Sequence, residues 1–265
     1  MKEILFTVCG RGGSKGIKNK NIRPLCGEPL IAWTLFDAAS AFRDDGEIRK
    51  TLAVDSDSDE ILETAGRFAP GAYFHKRRDE LAGDRVAKMD VIGEVLSHAS
   101  RDMGRTFDAV VDLDITSPLR TPEDIERTCD FFFRGKKDVV FSVVPARRNP
   151  YFNMVERNGD GRFSLCKPSS FVARQQAPEV FDMNASIYVY NPEVFGRGVK
   201  SPAALDFDVF IMRDFGVIDI DHEEDLEMMN LLLEHGEHLL PDGLREKKKT
   251  LMAHAGAVCE GRVEE

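Results

Sequence analysis

No apolar run in the 265-residue chain approaches the roughly 20 residues that a membrane span requires, and its first residues lack the order of a secretory leader. Neither a membrane protein nor a processed one is expected. Surplus positive charge is missing as well: 36 Lys and Arg stand against 46 Asp and Glu, a formal net charge of −10. That balance argues against a nucleic-acid or anionic-membrane surface, since both need excess cations. Five cysteines, at 9, 26, 129, 166 and 259, are odd in number and form no C-x-x-C pair. Reduced thiols in a cytoplasmic protein are therefore expected, not a disulfide framework or a cysteine zinc site. Two common phosphate signatures also fail on spacing: Ser14-Lys15-Gly16 follows Gly13 where a Walker loop needs Gly-Lys-Ser/Thr, and after Gly10-x-Gly12 a dinucleotide fingerprint would put glycine at Lys15.

What the chain does have is a glycine-rich, cationic loop from Cys9 to Arg23. It follows the apolar run 4–8, which reads as a buried strand, and precedes a helical pattern that starts near Glu28. Gly10, Gly12, Gly13 and Gly16 stand among Arg11, Lys15, Lys18, Lys20 and Arg23. Backbone N–H groups freed of Cβ atoms, with cations beside them, suit a polyphosphate. The bland alternative is a solvated surface loop. Its position at the end of the first strand of an α/β pattern, where such folds bind ligands, favours the phosphate site.

Further on, 109–115 reads as a central strand that carries Asp112 and Asp114 on one face. Buried carboxylates must be paired, hydrogen-bonded or metal-bound, so this strand end marks a site. Thr121-Pro122-Glu123-Asp124 then starts a helix. The aspartates of 55–59 read as helix capping and not as a calcium loop, and the phenylalanines 131–133 as core. Near the end, Asp219 and Asp221 lie two apart on an extended segment that enters a helix, where they can share a hard cation. Helix capping would explain Asp221 but not Asp219. His235 and His238 can share a helical face, without a third ligand.

Taken together, Arg11-Gly-Gly-Ser-Lys-Gly16 with Lys20-Asn21, Arg77-x-x-x-Leu-Ala82, Thr116-Ser-Pro-Leu-Arg120, Arg174-Gln175 with Asn184-x-x-x-Tyr188, and Asp219-Ile-Asp221 with Asp225-Leu resemble, in order, the motifs of the N-acylneuraminate cytidylyltransferase (CMP-sialic acid synthetase) family. The resemblance spans roughly residues 3–232. It implies a three-layer, mostly parallel α/β sheet of the Rossmann-like nucleotide-diphospho-sugar transferase type. It also implies CMP transfer from CTP to the anomeric hydroxyl of a sialic-acid-like (nonulosonic) acid, with Mg2+ as cofactor, and a homodimer. By that resemblance Arg11, Gly12, Gly13, Ser14, Lys15, Lys20, Asn21 and Arg77 bind the nucleotide. Asp114, Thr116, Ser117, Arg174, Gln175, Asn184 and Tyr188 bind the sugar, and Asp219 and Asp221 hold the metal; Arg11, Lys20, Asp219 and Asp221 form the catalytic set. A charged turn at Arg77 and a structural salt bridge at Arg174 are the competing readings.

The chain departs from the family at Asp114 and Ile115, which replace Gln-Pro, at Asp182, which stands where an arginine is usual, and at Lys88, in a region usually hydroxylated. These departures leave room for another 2-keto-3-deoxy sugar acid of KDN, legionaminic or pseudaminic type, or for a non-catalytic nucleotide-binding protein on the same scaffold. In domain terms, residues 1–240 read as one cytidylyltransferase domain. An inserted dimerisation arm occupies 145–183, where the βα rhythm fails, and the C-terminal tail 241–265 reads as a helix with a loose end.

Overall fold

The computed structural model describes residues 1–14, 16–213 and 219–260, and of 254–260 the backbone alone. Its centre is a seven-stranded sheet in the order β11-β7-β10-β6-β1-β4-β5. These strands are β1 (Lys2–Gly10), β4 (Ile48–Ser56), β5 (Tyr73–Lys76), β6 (Ala109–Leu113), β7 (Val139–Pro145), β10 (Phe181–Tyr190) and β11 (Phe207–Ile211). Six run in one direction, and β10, antiparallel to both β6 and β7, runs against them. Two short hairpins complete the strands: β2 (Pro24–Leu25) with β3 (Glu28–Pro29), and β8 (Val155–Arg157) with β9 (Phe163–Leu165).

Alternation along the strands builds the layers. Ile4, Phe6 and Val8 of β1 and Val111 and Leu113 of β6 face one core, formed with α1 (Leu30–Ser40), α2 (Asp59–Phe68), α4 (Pro122–Arg134), α5 (Glu223–His235) and α6 (Asp242–Glu260). Leu5 and Val110 face the other, against α3 (Lys88–Met103). Parallel strands buried on both faces read as continuous apolar runs, which is why 4–8 of β1 and 109–113 of β6 read as strands in the sequence. The expected three-layer α/β class is the fold observed. None of the helices among the described residues is long and apolar enough to cross a membrane.

Three elements differ from expectation. β6 ends at Leu113, so Asp114 lies just beyond the strand and not inside it. The aspartates of 55–59 do not cap α2; Ser58 does, accepting from Ile61 N, while Asp55 is buried and Asp57 serves the glycine loop. The helix expected beyond 241 is present but is not peripheral to the domain: α6 packs on α1 with Leu244 and Leu251 in the core and Lys247 fully buried. Each Leu so buried contributes about 1.5–3 kcal/mol, enough to fix a helix to the body. The strand expected over 215–220 lies mostly outside the described residues.

Candidate active site

The C-terminal ends of β1, β4 and β6 open into a cleft. Loop 11–17 leaves β1 there, held by Gly12 N donating to Asp57 Oδ1 (2.8 Å) and by Asn21 Nδ2 donating to Arg11 O (2.9 Å). Gly16 sits against the far end of the chain: a Cβ at this position would lie 2.0 Å from the Asp221 carbonyl oxygen. Only glycine fits there. Asn19 turns the backbone through φ +56°, after which Lys20 reaches Ile220 O (2.7 Å) and Asp221 Oδ1 (2.8 Å). The loop of cations and the late carboxylates thus meet, two hundred residues apart in sequence.

These groups enclose a cavity of about 400 Å3 lined by Cys9, Arg11, Ser14, Gly16, Lys20, Asn21, Asp114, Thr116 and Asp221. A second cavity of about 310 Å3 shares Cys9, Arg11 and Asp114 and continues to Arg77, Asp84, Val86 and Lys88. A nucleotide and an acceptor sugar need two adjoining compartments. A third cavity of about 390 Å3, between Thr121, Met212 and Pro241, holds none of the expected site residues.

The carboxylates are held under tension between burial and neighbouring charge. Asp112 accepts from Thr7 Oγ1 (2.8 Å) and pairs with Lys88 Nζ (2.6 Å), which also binds Asp114. Burial alone would push the Lys88 ammonium down, but Asp112 and Asp114 outweigh it and hold Lys88 well above its ordinary value. Burial pushes Asp112 up against the pull of Lys88. Burial likewise raises Asp219; the Thr116 hydroxyl bonded to it opposes this, the Asp221 and Asp114 charges reinforce it, and Lys20 opposes it. Asp219 Oδ1 is buried without a hydrogen-bond partner among the described residues. The N-cap of α5 is His222, not Asp221, and Asp225 in its first turn reaches back, its Oδ2 accepting from Asp221 N (3.0 Å) and His222 N (2.7 Å). Asp221 is left with Lys20 as its partner, beside an orphaned oxygen on Asp219, and such hard oxygens fit a Mg2+ ion.

A profile of the cytidylyltransferase family matches residues 5–237. The chain belongs to the cytidylyltransferase family. Over 240 residues, 88% of this chain and 96% of the relative, it is 36% identical to the CMP-N,N'-diacetyllegionaminic acid synthase of Campylobacter jejuni, and equally to the post-translational flagellin modification protein B of Campylobacter coli. It is 30% identical over 230 residues to the zebrafish (Danio rerio) N-acylneuraminate cytidylyltransferase A, covering 84% of this chain and 49% of that one. Among solved structures, CMP:2-keto-3-deoxy-manno-octonic acid synthetase complexed with CTP superposes with a TM-score of 0.65 at 16% identity, over 88% of this chain and 99% of that one. At that identity the likeness speaks for the fold.

This cytidylyltransferase does not bring every expected residue to the cleft. Lys15 lies outside the described residues. Gly13 belongs to the loop but has open space where a Cβ would be. Arg77 is buried, its guanidinium clamping Asp55 (2.7 and 2.5 Å) while its stem walls the second cavity, so a buried ion pair replaces the charged turn. Ser117 is buried and lines neither cavity. Arg174 and Gln175 are exposed on the arm, Arg174 donating to Ala146 O (2.9 Å), away from both cavities. The Asn184 amide is spent inside the fold, accepting from Ser142 Oγ (2.7 Å) and reaching Met212 Sδ (3.4 Å). Tyr188 stands opposite Asp112 in the β6–β10 register, stacked on Tyr190.

The sequence reading gave no role in the site to four cytidylyltransferase residues. Asp84 pairs with Arg11 (2.5 Å), Asp57 anchors the loop and Lys88 bridges the aspartates. Fully buried Arg120 donates to Ser186 O (2.8 Å), Thr34 Oγ1 (2.7 Å) and the Asp114 carbonyl, tying β10 to the site. Lys88 had a signal, as the departure beside two buried carboxylates that needed a partner.

Proposed function

We propose that this cytidylyltransferase transfers CMP from CTP to the anomeric hydroxyl of a nonulosonic acid, and that it depends on Mg2+. The new bond joins the sugar oxygen to the α-phosphorus, the bond to the β-phosphate oxygen breaks, and pyrophosphate leaves with the electron pair. Little covalent work falls on the protein, so charge neutralisation and alignment carry the catalysis. Arg11, Ser14, Gly12 and Lys20 would hold the triphosphate, with Lys15 and Gly13 of the same loop, and Asn21 and Arg77 would frame the nucleoside. Asp114, Thr116 and Tyr188 would face the acceptor, Arg174 and Gln175 would reach it only if the arm closes, and buried Ser117 and Asn184 would support the site from within the fold. Asp219 and Asp221 would hold Mg2+, which when bound offsets phosphate charge and sharpens the attacking oxygen.

The contact of Lys20 with Asp221 carries this reading, because it brings cations for a triphosphate and a carboxylate for a metal, Asp221, to one cavity. A legionaminic-type diacetamido acid is favoured as acceptor by the 36% identity to a synthase of that class and by the departures at Asp114 and Asp182. CTP as substrate and free thiols at Cys9 and Cys166 both suit the cytoplasm.

Pyrophosphate release from CTP is to be measured against N,N'-diacetyllegionaminic acid, N-acetylneuraminic acid and 2-keto-3-deoxyoctonic acid, with Mg2+ and with chelator. Turnover with a nonulosonic acid, lost on chelation and in Asp221→Asn at unchanged melting temperature, is the expected result. Tight CTP binding without turnover of any acid would instead favour a nucleotide sensor.

A further inference from the structure

Outside the cleft, α3 carries Glu94 and His98 four residues apart, one above the other on a single helical face. His75, on the neighbouring strand β5, points to the same spot, its ring 4.8 Å from that of His98 in an edge-to-face arrangement. One ligand atom from each of the three lies within 4.8 Å of the other two. The Glu94 side chain is only 7% exposed; Oε1 is taken by Arg78, and Oε2 is buried with no hydrogen-bond partner. An orphaned carboxylate oxygen facing two imidazoles is costly unless something binds it.

We propose that His75, Glu94 and His98 form a site for one divalent transition-metal ion of the Zn2+ class, separate from the Asp219–Asp221 pair. Two imidazoles and a carboxylate, with a fourth position open to water, are a zinc ligand set, whereas Mg2+ takes oxygen. The second shell is in place for His75. Its Nδ1 lies 2.8 Å from Asp55 Oδ1, which keeps the proton on Nδ1 and leaves the Nε2 lone pair for the metal.

A satisfied buried histidine accounts for His75 alone. It leaves the partnerless Glu94 oxygen and the approach of His98 unexplained. Ligand atoms around a tetrahedral zinc lie ~3.3 Å apart, so the side chains close inward on binding. Arg101, 63% exposed, touches His98 Nδ1 at 3.1 Å and gives up that contact. His98 is partly exposed, which leaves the ion a way in. Because Asp55 also holds Arg77, the ion would brace the wall of the second cavity through His75 and Asp55. His75, Glu94 and His98 are positioning residues in that scheme, not catalytic ones.

The test uses the full chain, stripped with chelator and titrated with Zn2+ by calorimetry and with Co2+ by visible absorption, under saturating Mg2+. One equivalent of Zn2+ is expected, with cobalt d–d bands and no thiolate charge-transfer band. His98→Ala and the isosteric Glu94→Gln should each weaken binding at least about tenfold, and Asp221→Asn should not change it. Absence of a Zn2+ equivalent, a thiolate band, or undiminished affinity in folded Glu94→Gln and His98→Ala overturns the proposal.

Discussion

Gly16 shows how much rests on one missing methyl group. The atom that a Cβ would strike at 2.0 Å is backbone, the carbonyl oxygen of Asp221, so alanine cannot be accommodated by a rotamer change. Gly16→Ala should push the loop off Asp221 and lower kcat/KM by about 10²-fold, with little change in melting temperature, since a shift of this size misaligns reacting groups far more than it weakens a core. Steady-state pyrophosphate release checks it. Ala185 shows the reverse case. It holds φ +44° in the irregular stretch of β10 between Met183 and Tyr188, where an L-side chain is strained. Ala185→Gly should add a net ~0.5–1 kcal/mol to urea stability, the relief of strain less the extra freedom of glycine in the unfolded chain. Nothing in composition or spacing could have revealed the positive φ itself.

Among the elements, α6 best separates what was legible from what was not. Leu244, Lys247 and Leu251 fall on one helical face, and that period was there to be read. A run of three lysines concealed it, because such a run usually faces water. Lys247 is instead buried, donating to Asp37 Oδ2 (2.6 Å) and to Pro118 O (2.7 Å), and Arg120 Nε lies 3.4 Å from the same carboxylate. Burial pushes the Asp37 carboxyl up to about 6, against the pull of Lys247 and Arg120, and burial pushes Lys247 down to about 8. With a folded pKa above the unfolded one, Asp37 binds its proton more tightly when native, so its contribution to stability falls as pH rises from about 4 to 6. Without the Lys247 charge the folded pKa climbs further and the fall continues to higher pH. Lys247→Met should therefore cost more stability at pH 7.5 than at pH 5, by about 1.4 kcal/mol for each unit of added shift; urea unfolding at the two values tests it. Of the strands, β1, β6 and β7 were legible because each is largely an apolar run buried on both faces, whereas β4 is partly exposed up to Leu52 and offers only the short apolar run 52–54. β5 is short and carries His75 and Lys76, β10 is interrupted by its irregular stretch, and β11 has exposed Phe207 and Ile211, so their patterns are broken.

At the scale of the whole molecule, the site was more legible as a set of motifs than as geometry. The sequence separates Lys20 from Asp221 by nearly the entire chain, and only the resemblance joined them; partners such as Lys88 for Asp114 follow from the sheet that sets α3 over the strand ends. The arm remains the least explained part of a lone chain. Its β8–β9 hairpin exposes Val155 and Phe163, each 62% accessible, and β10 begins with exposed Phe181 and Met183. Apolar side chains grouped on a protruding hairpin suit burial against a second copy. If the homodimer that the family resemblance implies forms through this arm, Phe163→Asp should shift the protein from dimer to monomer in sedimentation velocity; an unshifted dimer would move the interface elsewhere.

The seating of Gly16 and Lys20 on residues 220 and 221 has a bearing on how the enzyme comes into being. On the ribosome, a nascent chain can pair β1 with β4 and β6 early, yet the cavity gains Asp221 only once residues 220 and 221 have emerged and folded back onto the loop. Nucleotide bound before that moment would meet half a grip.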